Sequence, residues 1–140
     1  MEPNYWLVAS SFSYCIPCYF YYTLGHSYLT ILYTGVITSS SLYHATKYPI
    51  LLWIDIPIAH LAHISTVLQI WKGGWRSMVP YTFWLLYTLV TYYYGYKTTS
   101  LIWDPNIQKA TPWHMGMHGL TSLMCCVTMY YATDFQRTTI

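Results

Sequence analysis

The chain has 140 residues and a formal net charge of +2, and only 7% of it is Asp, Glu, Lys or Arg, where a soluble domain carries about 25%. Apolar residues make up 55% and aromatic residues 20%, which excludes a soluble fold of this length that stays dispersed. No basic stripe exists to suit a nucleic acid, and no disulfide framework is expected from four cysteines that lie inside apolar runs.

Apolar runs of about 20 residues, each bounded by charge, Pro or Gly, match a bilayer core. The first runs from Tyr5 to Leu24 and stops at Gly25-His26. Inside it, Cys15-x-x-Cys18 has the spacing of a redox or metal motif, but with Pro17 between and no polar company the two read as small hydrophobes. Glu2 stands where a cleavable signal peptide would be basic, so none is expected. The second run covers Ser27 to Thr46 and is closed by Lys47 and Pro49. The third covers Ile50 to Trp71, closed by Lys72, Gly73, Gly74 and Arg76. The fourth starts near Met78 and ends before Lys97 in Tyr92, Tyr93, Tyr94 and Tyr96, the composition of an interfacial belt. The fifth starts near Pro112 and reaches Thr133, with Thr111 as N-cap and Pro112 at the first helical position.

The expected architecture is therefore all-α: a polytopic transmembrane helical bundle of five spans, with residues 1–140 forming a single integral membrane domain. Orientation is not readable, because Lys47, Lys97 and Lys109 fall on one side and Lys72, Arg76 and Arg137 on the other.

Ionisable residues within spans are costly and mark function. Here they are His44, Asp55, His60, His63, His114 and His118. Ser40 and His44 are four residues apart and share a helix face, as do His114 and His118. An i, i+4 histidine pair can offer two imidazoles to one metal ion, and neutral imidazole suits zinc. Depth supports the grouping. At 1.5 Å per residue, His44 lies about one turn inside one membrane face, Asp55 about 7 Å inside it, and His114 and His118 about 3 to 9 Å. Ala59, Ala62 and Thr66 share the Asp55 stripe, and Gly116 and Gly119 flank the histidine pair, so close helix approach is expected at both places. His60 and His63 lie deeper and read as packing residues.

Ser40-Ser41-Leu42-Tyr43-His44-Ala45-Thr46-Lys47-Tyr48, then Asp55-Ile56-Pro57-Ile58, then Trp113-His114-Met115-Gly116-Met117-His118-Gly119 together resemble the alkaline ceramidases. These belong to the wider superfamily of membrane hydrolases that includes progestin and adiponectin receptors, often called CREST. Its pattern is S-x3-H, a D, and H-x3-H, and the interval of eleven residues from His44 to Asp55 matches the ceramidase branch. The resemblance implies that His44, His114 and His118 bind Zn2+, that Asp55 activates the zinc-bound water, and that Ser40 stabilises the oxyanion. The implied substrate is a membrane lipid amide or ester, ceramide first, with an endoplasmic reticulum or Golgi membrane as host and the bilayer itself as partner.

This sequence departs from the family in having five spans for seven. Ile56 stands where a Glu usually follows the Asp, and Glu2-Pro3-Asn4-Tyr5 keeps only the end of an acidic calcium-binding motif, so calcium is not expected. An even deletion leaves the histidine pair on its original side. Two further readings stay open: a structural zinc pin in a non-catalytic, receptor-like protein, and metal-free histidines that pack or bind haem. Five helices make a thin wall round a lipid cavity and are compatible with a homodimer.

Overall fold

A computed structural model describes residues 3–72 and 74–138, and these are helical throughout apart from short connections, with no strand among them. Glu2 and Gly73 lie outside the described residues, as do the side chains of Lys72 and Arg137. The helices fall into five rods. The first comprises α1 (Tyr5–Ser11), a 3-10 turn (Phe12–Tyr14) and α2 (Cys15–Thr23). The second is α3 (Ser27–Thr46) and the third α4 (Pro49–Lys72). The fourth is α5 (Gly74–Thr88), a π segment (Leu89–Tyr94) and α6 (Gly95–Thr98). A 3-10 turn at Leu101–Trp103 leads to the fifth, α7 (Ile107–Thr138).

The boundaries follow local chemistry. Asn4 caps α1, its Oδ1 accepting the Leu7 N–H at 3.2 Å. Pro17 has no N–H to give the carbonyl four residues back, and that carbonyl, on Ser13, accepts the Ser122 hydroxyl of α7 at 2.6 Å instead. The missing bond coincides with the tightening of the rod to 3-10 geometry at Phe12–Tyr14. After α2, the N–H groups of Gly25 and His26 return to the carbonyls of Tyr22 and Tyr21 with Gly25 at φ 75°, a helix stop that glycine makes easily. At the end of α3 the left-handed residue is Lys47, φ 57°.

The fifth rod starts earlier than expected. It begins at Ile107, where the Asn106 side chain takes the Gln108 N–H at 2.9 Å, and Pro112 lies inside it. Thr111 is not the cap, because its hydroxyl accepts the Asn4 side-chain amide at 2.8 Å.

α7 packs on α1, α2, α4 and α5, while α3 lies between the first rod and α4. The apolar core gathers Tyr14, Tyr21, Leu29, Tyr33, Val36, Ala62, Cys125 and Met129. Tyr33 ties this core together, its hydroxyl 2.7 Å from Cys125 Sγ and 2.8 Å from Thr66 Oγ1. Ala62 and Thr66 of the expected small-residue stripe are buried, and at Gly35 an added Cβ would stand 3.2 Å from Ile58, so α3 and α4 approach closely.

Polar side chains share the interior with the apolar core, and many large apolar side chains are exposed. Ser11, Ser40, His44, Ser77, Thr91 and Thr128 are buried, whereas Trp6, Ile31, Trp53, Trp75 and Phe83 are exposed and Trp71 is 81% exposed. Thr34, Thr38 and Thr46 lie on exposed parts of α3, and each turns its hydroxyl back onto the carbonyl four residues earlier. Among the described residues, one helical stretch, Pro49–Gln69, is by length and composition apolar enough to cross a membrane, with mean hydropathy 1.5. α3 has 20 residues and no Asp, Glu, Lys or Arg, and falls short because of its Ser and Thr.

Candidate metal centre

His44 stands in the last turn of α3, and His114 and His118 lie one turn apart in α7. The first rod clasps the two helices at this end. Asn4 donates its backbone N–H to the His44 carbonyl at 3.0 Å and its side-chain amide to Thr111 at 2.8 Å, one turn before His114. The imidazole rings meet as a triangle, with centroids 5.0 Å apart for His44–His114, 4.9 Å for His114–His118 and 5.7 Å for His44–His118. One ring nitrogen from each lies within 4.8 Å of the other two, and His44 and His118 are buried.

The donor set fits a zinc ion. Imidazole nitrogens round one tetrahedral zinc, each about 2 Å from it, stand about 3.3 Å apart. Side-chain rotation alone covers the small closure this requires. Three neutral nitrogens leave a fourth position open, the arrangement that catalytic zinc uses. Other divalent transition ions accept the same nitrogens, and geometry alone does not choose among them.

Two contacts fix the imidazoles from outside. Ser10 Oγ lies 2.8 Å from His118 Nδ1. Lys47 Nζ lies 3.2 Å from His44 Nδ1, brought there by the left-handed turn at Lys47, and 4.9 Å from the Tyr43 ring. Partial burial holds the Lys47 amine below its ordinary value. Tyr14 closes the far side, its ring 5.4 Å from that of His118.

The other residues singled out in the sequence fall into separate contacts. Asp55 Oδ1 accepts the Ser39 hydroxyl at 2.7 Å. Ser40 is buried and bonds Ser11 Oγ at 3.1 Å. His60 is exposed and bonds the Ile56 carbonyl, and His63 stacks on Trp84 at 3.9 Å, so both serve packing and local bonding. Cys15 and Cys18 are free thiols, with Cys18 beside Thr30 and Thr34. Gly116 does permit close packing, since an added Cβ would strike the Tyr87 hydroxyl, whereas Gly119 faces open space. Sequence reasoning missed Asn4, Ser10, Ser11 and Ser39. For Ser10 and Ser11 a signal existed, because adjacent hydroxyls inside an apolar run need buried partners.

The chain matches no family model, no curated protein and no solved structure.

Proposed function

We propose that the chain is a multi-pass membrane protein whose three histidines hold zinc, and that it hydrolyses an amide or ester bond of a membrane lipid, ceramide being the first candidate. The observation that carries the reading is the meeting of His44, His114 and His118 nitrogens within 4.8 Å inside a bundle that buries hydroxyls and exposes Trp and Ile. Apolar exposure on this scale suits lipid rather than water. The threonine hydroxyls bonded back to α3 carbonyls support the same reading, because an unsatisfied polar group in hydrocarbon is costly. The exposed Tyr92, Tyr93, Tyr94 and Tyr96 suit a headgroup boundary.

Bound zinc would polarise an acyl carbonyl and make water nucleophilic near neutral pH. Asp55 is the residue to take the proton of the attacking water, and Ser39 fixes its carboxyl by donating to one oxygen. Ser40 offers a hydroxyl toward the developing oxyanion from the same face as His44. A centre near the ends of α3 and of the Asn4 cap suits a scissile bond at the headgroup boundary.

The deciding experiment is metal analysis of the purified full chain together with a ceramide hydrolysis assay, on wild type, Asp55→Ala and His114→Ala. About one equivalent of zinc, retained in Asp55→Ala while hydrolysis disappears, is the expected result. Zinc bound by wild type without hydrolysis of any amide or ester lipid would mean a structural pin. Less than about half an equivalent, unchanged by His114→Ala, would remove the metal centre altogether.

A further inference from the structure

α1 carries two adjacent serines, and each reaches a different part of the centre. Ser10 Oγ is 2.8 Å from His118 Nδ1, and Ser11 Oγ is 3.1 Å from Ser40 Oγ. Both hydroxyls also lie within bonding distance of one acceptor, the Leu7 carbonyl, at 3.0 Å from Ser10 and 2.9 Å from Ser11. That carbonyl has two lone pairs. The α-helical pattern directs the Ser11 N–H at it, leaving room for one hydroxyl proton at a time.

Resting on the zinc reading above, we infer that Ser10 is the positioning residue of the centre and sets the tautomer of His118. A neutral imidazole has one N–H and one lone pair. When Ser10 sends its proton to the Leu7 carbonyl, its oxygen accepts the His118 Nδ1–H, and His118 Nε2 presents its lone pair to the ion. Metal-bound histidines usually have such an outer partner for the second nitrogen, which fixes the ring and raises its basicity. The same allocation settles Ser11. With the Leu7 carbonyl occupied by Ser10, the Ser11 proton goes to Ser40 Oγ, and the Ser40 proton is left free to point into the site. One carbonyl in α1 thus couples the ligand nitrogen of His118 to the donor state of Ser40.

The test uses the purified full chain in detergent, with Zn2+ alone titrated against a chelator and Co2+ alone followed by visible absorption. Ser10→Ala weakens Zn2+ binding by about 10- to 100-fold and shifts the Co2+ ligand-field bands, the cost expected for a lost outer partner. Ser10→Thr keeps the oxygen and restores affinity to within about threefold. Ser11→Ala removes a hydroxyl from the same turn and the same carbonyl, and leaves Zn2+ affinity within about threefold of wild type. Affinity unchanged in Ser10→Ala overturns the assignment, as does an equal loss in Ser11→Ala, which would mark general loosening of α1. A wild-type chain that takes up neither ion removes the centre itself, a failure distinct from one in which wild type binds and Ser10→Ala binds equally well.

Discussion

Asn4 is the residue on which the arrangement of the centre most depends for its size, and its replacement by Ala is the sharpest stability test. It is 7% exposed and makes four bonds: Oδ1 from the Leu7 N–H at 3.2 Å, Nδ2 to Thr111 Oγ1 at 2.8 Å, backbone N–H to the His44 carbonyl at 3.0 Å, and backbone carbonyl from the Val8 N–H at 3.1 Å. Asn4→Ala keeps the two backbone bonds and loses the two side-chain bonds. The lost cap costs about 1 kcal/mol, and leaving the buried Thr111 hydroxyl without its partner costs about 1 to 3 kcal/mol. The expected destabilisation is therefore about 2 to 4 kcal/mol, read by thermal or SDS unfolding of the detergent-solubilised chain. Asn4→Ser retains a capping oxygen but is too short to reach Thr111, so it spares the capping share. Thr111→Val removes the other end of the bond, and the double variant with Asn4→Ala should show a coupling of about 1 kcal/mol. A cost below about 0.5 kcal/mol for Asn4→Ala, or strict additivity in the cycle, would refute the reasoning.

Gly116→Ala drives a Cβ into the Tyr87 hydroxyl, which donates to the Trp113 carbonyl at 3.1 Å; it should destabilise by about 1 to 3 kcal/mol despite the helix preference of Ala. Gly119→Ala meets nothing within 4 Å and should stabilise by about 0.5 to 1 kcal/mol; the two variants reversed in order by unfolding would contradict the packing described for α5 and α7. Lys47→Met removes a cation from 3.2 Å beside His44 Nδ1, and should raise Zn2+ affinity by about fivefold or more, since even at the dielectric of water a unit charge near a divalent ion costs about 1 kcal/mol. Chelator competition reads this, and weaker binding in Lys47→Met would show the amine to be helping the site. Tyr33→Phe deletes the hydroxyl that lies 2.7 Å from Cys125 and 2.8 Å from Thr66, and should cost about 1 to 3 kcal/mol with Zn2+ affinity unchanged, because that hydroxyl bonds neither a histidine nor its partners.

The helical rods were legible because their ends are punctuated. Gly25 and the pair Lys47 and Pro49 stand where helices stop or start in the structure. The start of α7 was misread because Thr111-Pro112 satisfies a capping rule that the structure does not use there. Asn106 is an equally good cap one and a half turns earlier, and the Thr111 hydroxyl has a tertiary partner in Asn4. No local rule carries that choice, since Asn4 and Thr111 are 107 residues apart. The same holds for Ser10 and His118, 108 apart. The consequence of Pro17 was half legible: its missing N–H could be read, but not that Ser122 would take the released Ser13 carbonyl.

For the candidate site the division is geometric. Sequence position converts to depth along a helix at 1.5 Å per residue, and the i, i+4 rule places residues of one helix on a common face. Those two measures were enough to bring His44 to the level of His114 and His118. They do not say how each helix is rotated about its axis against its neighbours, and rotation decides side-chain partners. Asp55 shows the effect. Depth counted along α4 puts it at the level of the histidines, but that depth does not tell that its bond partner is the Ser39 hydroxyl. In the proposed hydrolysis the Ser39 hydroxyl holds one oxygen of the Asp55 carboxyl and leaves the other for the water. Ser39→Ala should then leave Zn2+ bound and lower lipid hydrolysis, and hydrolysis equal to wild type in that variant would remove Ser39 from the positioning of Asp55.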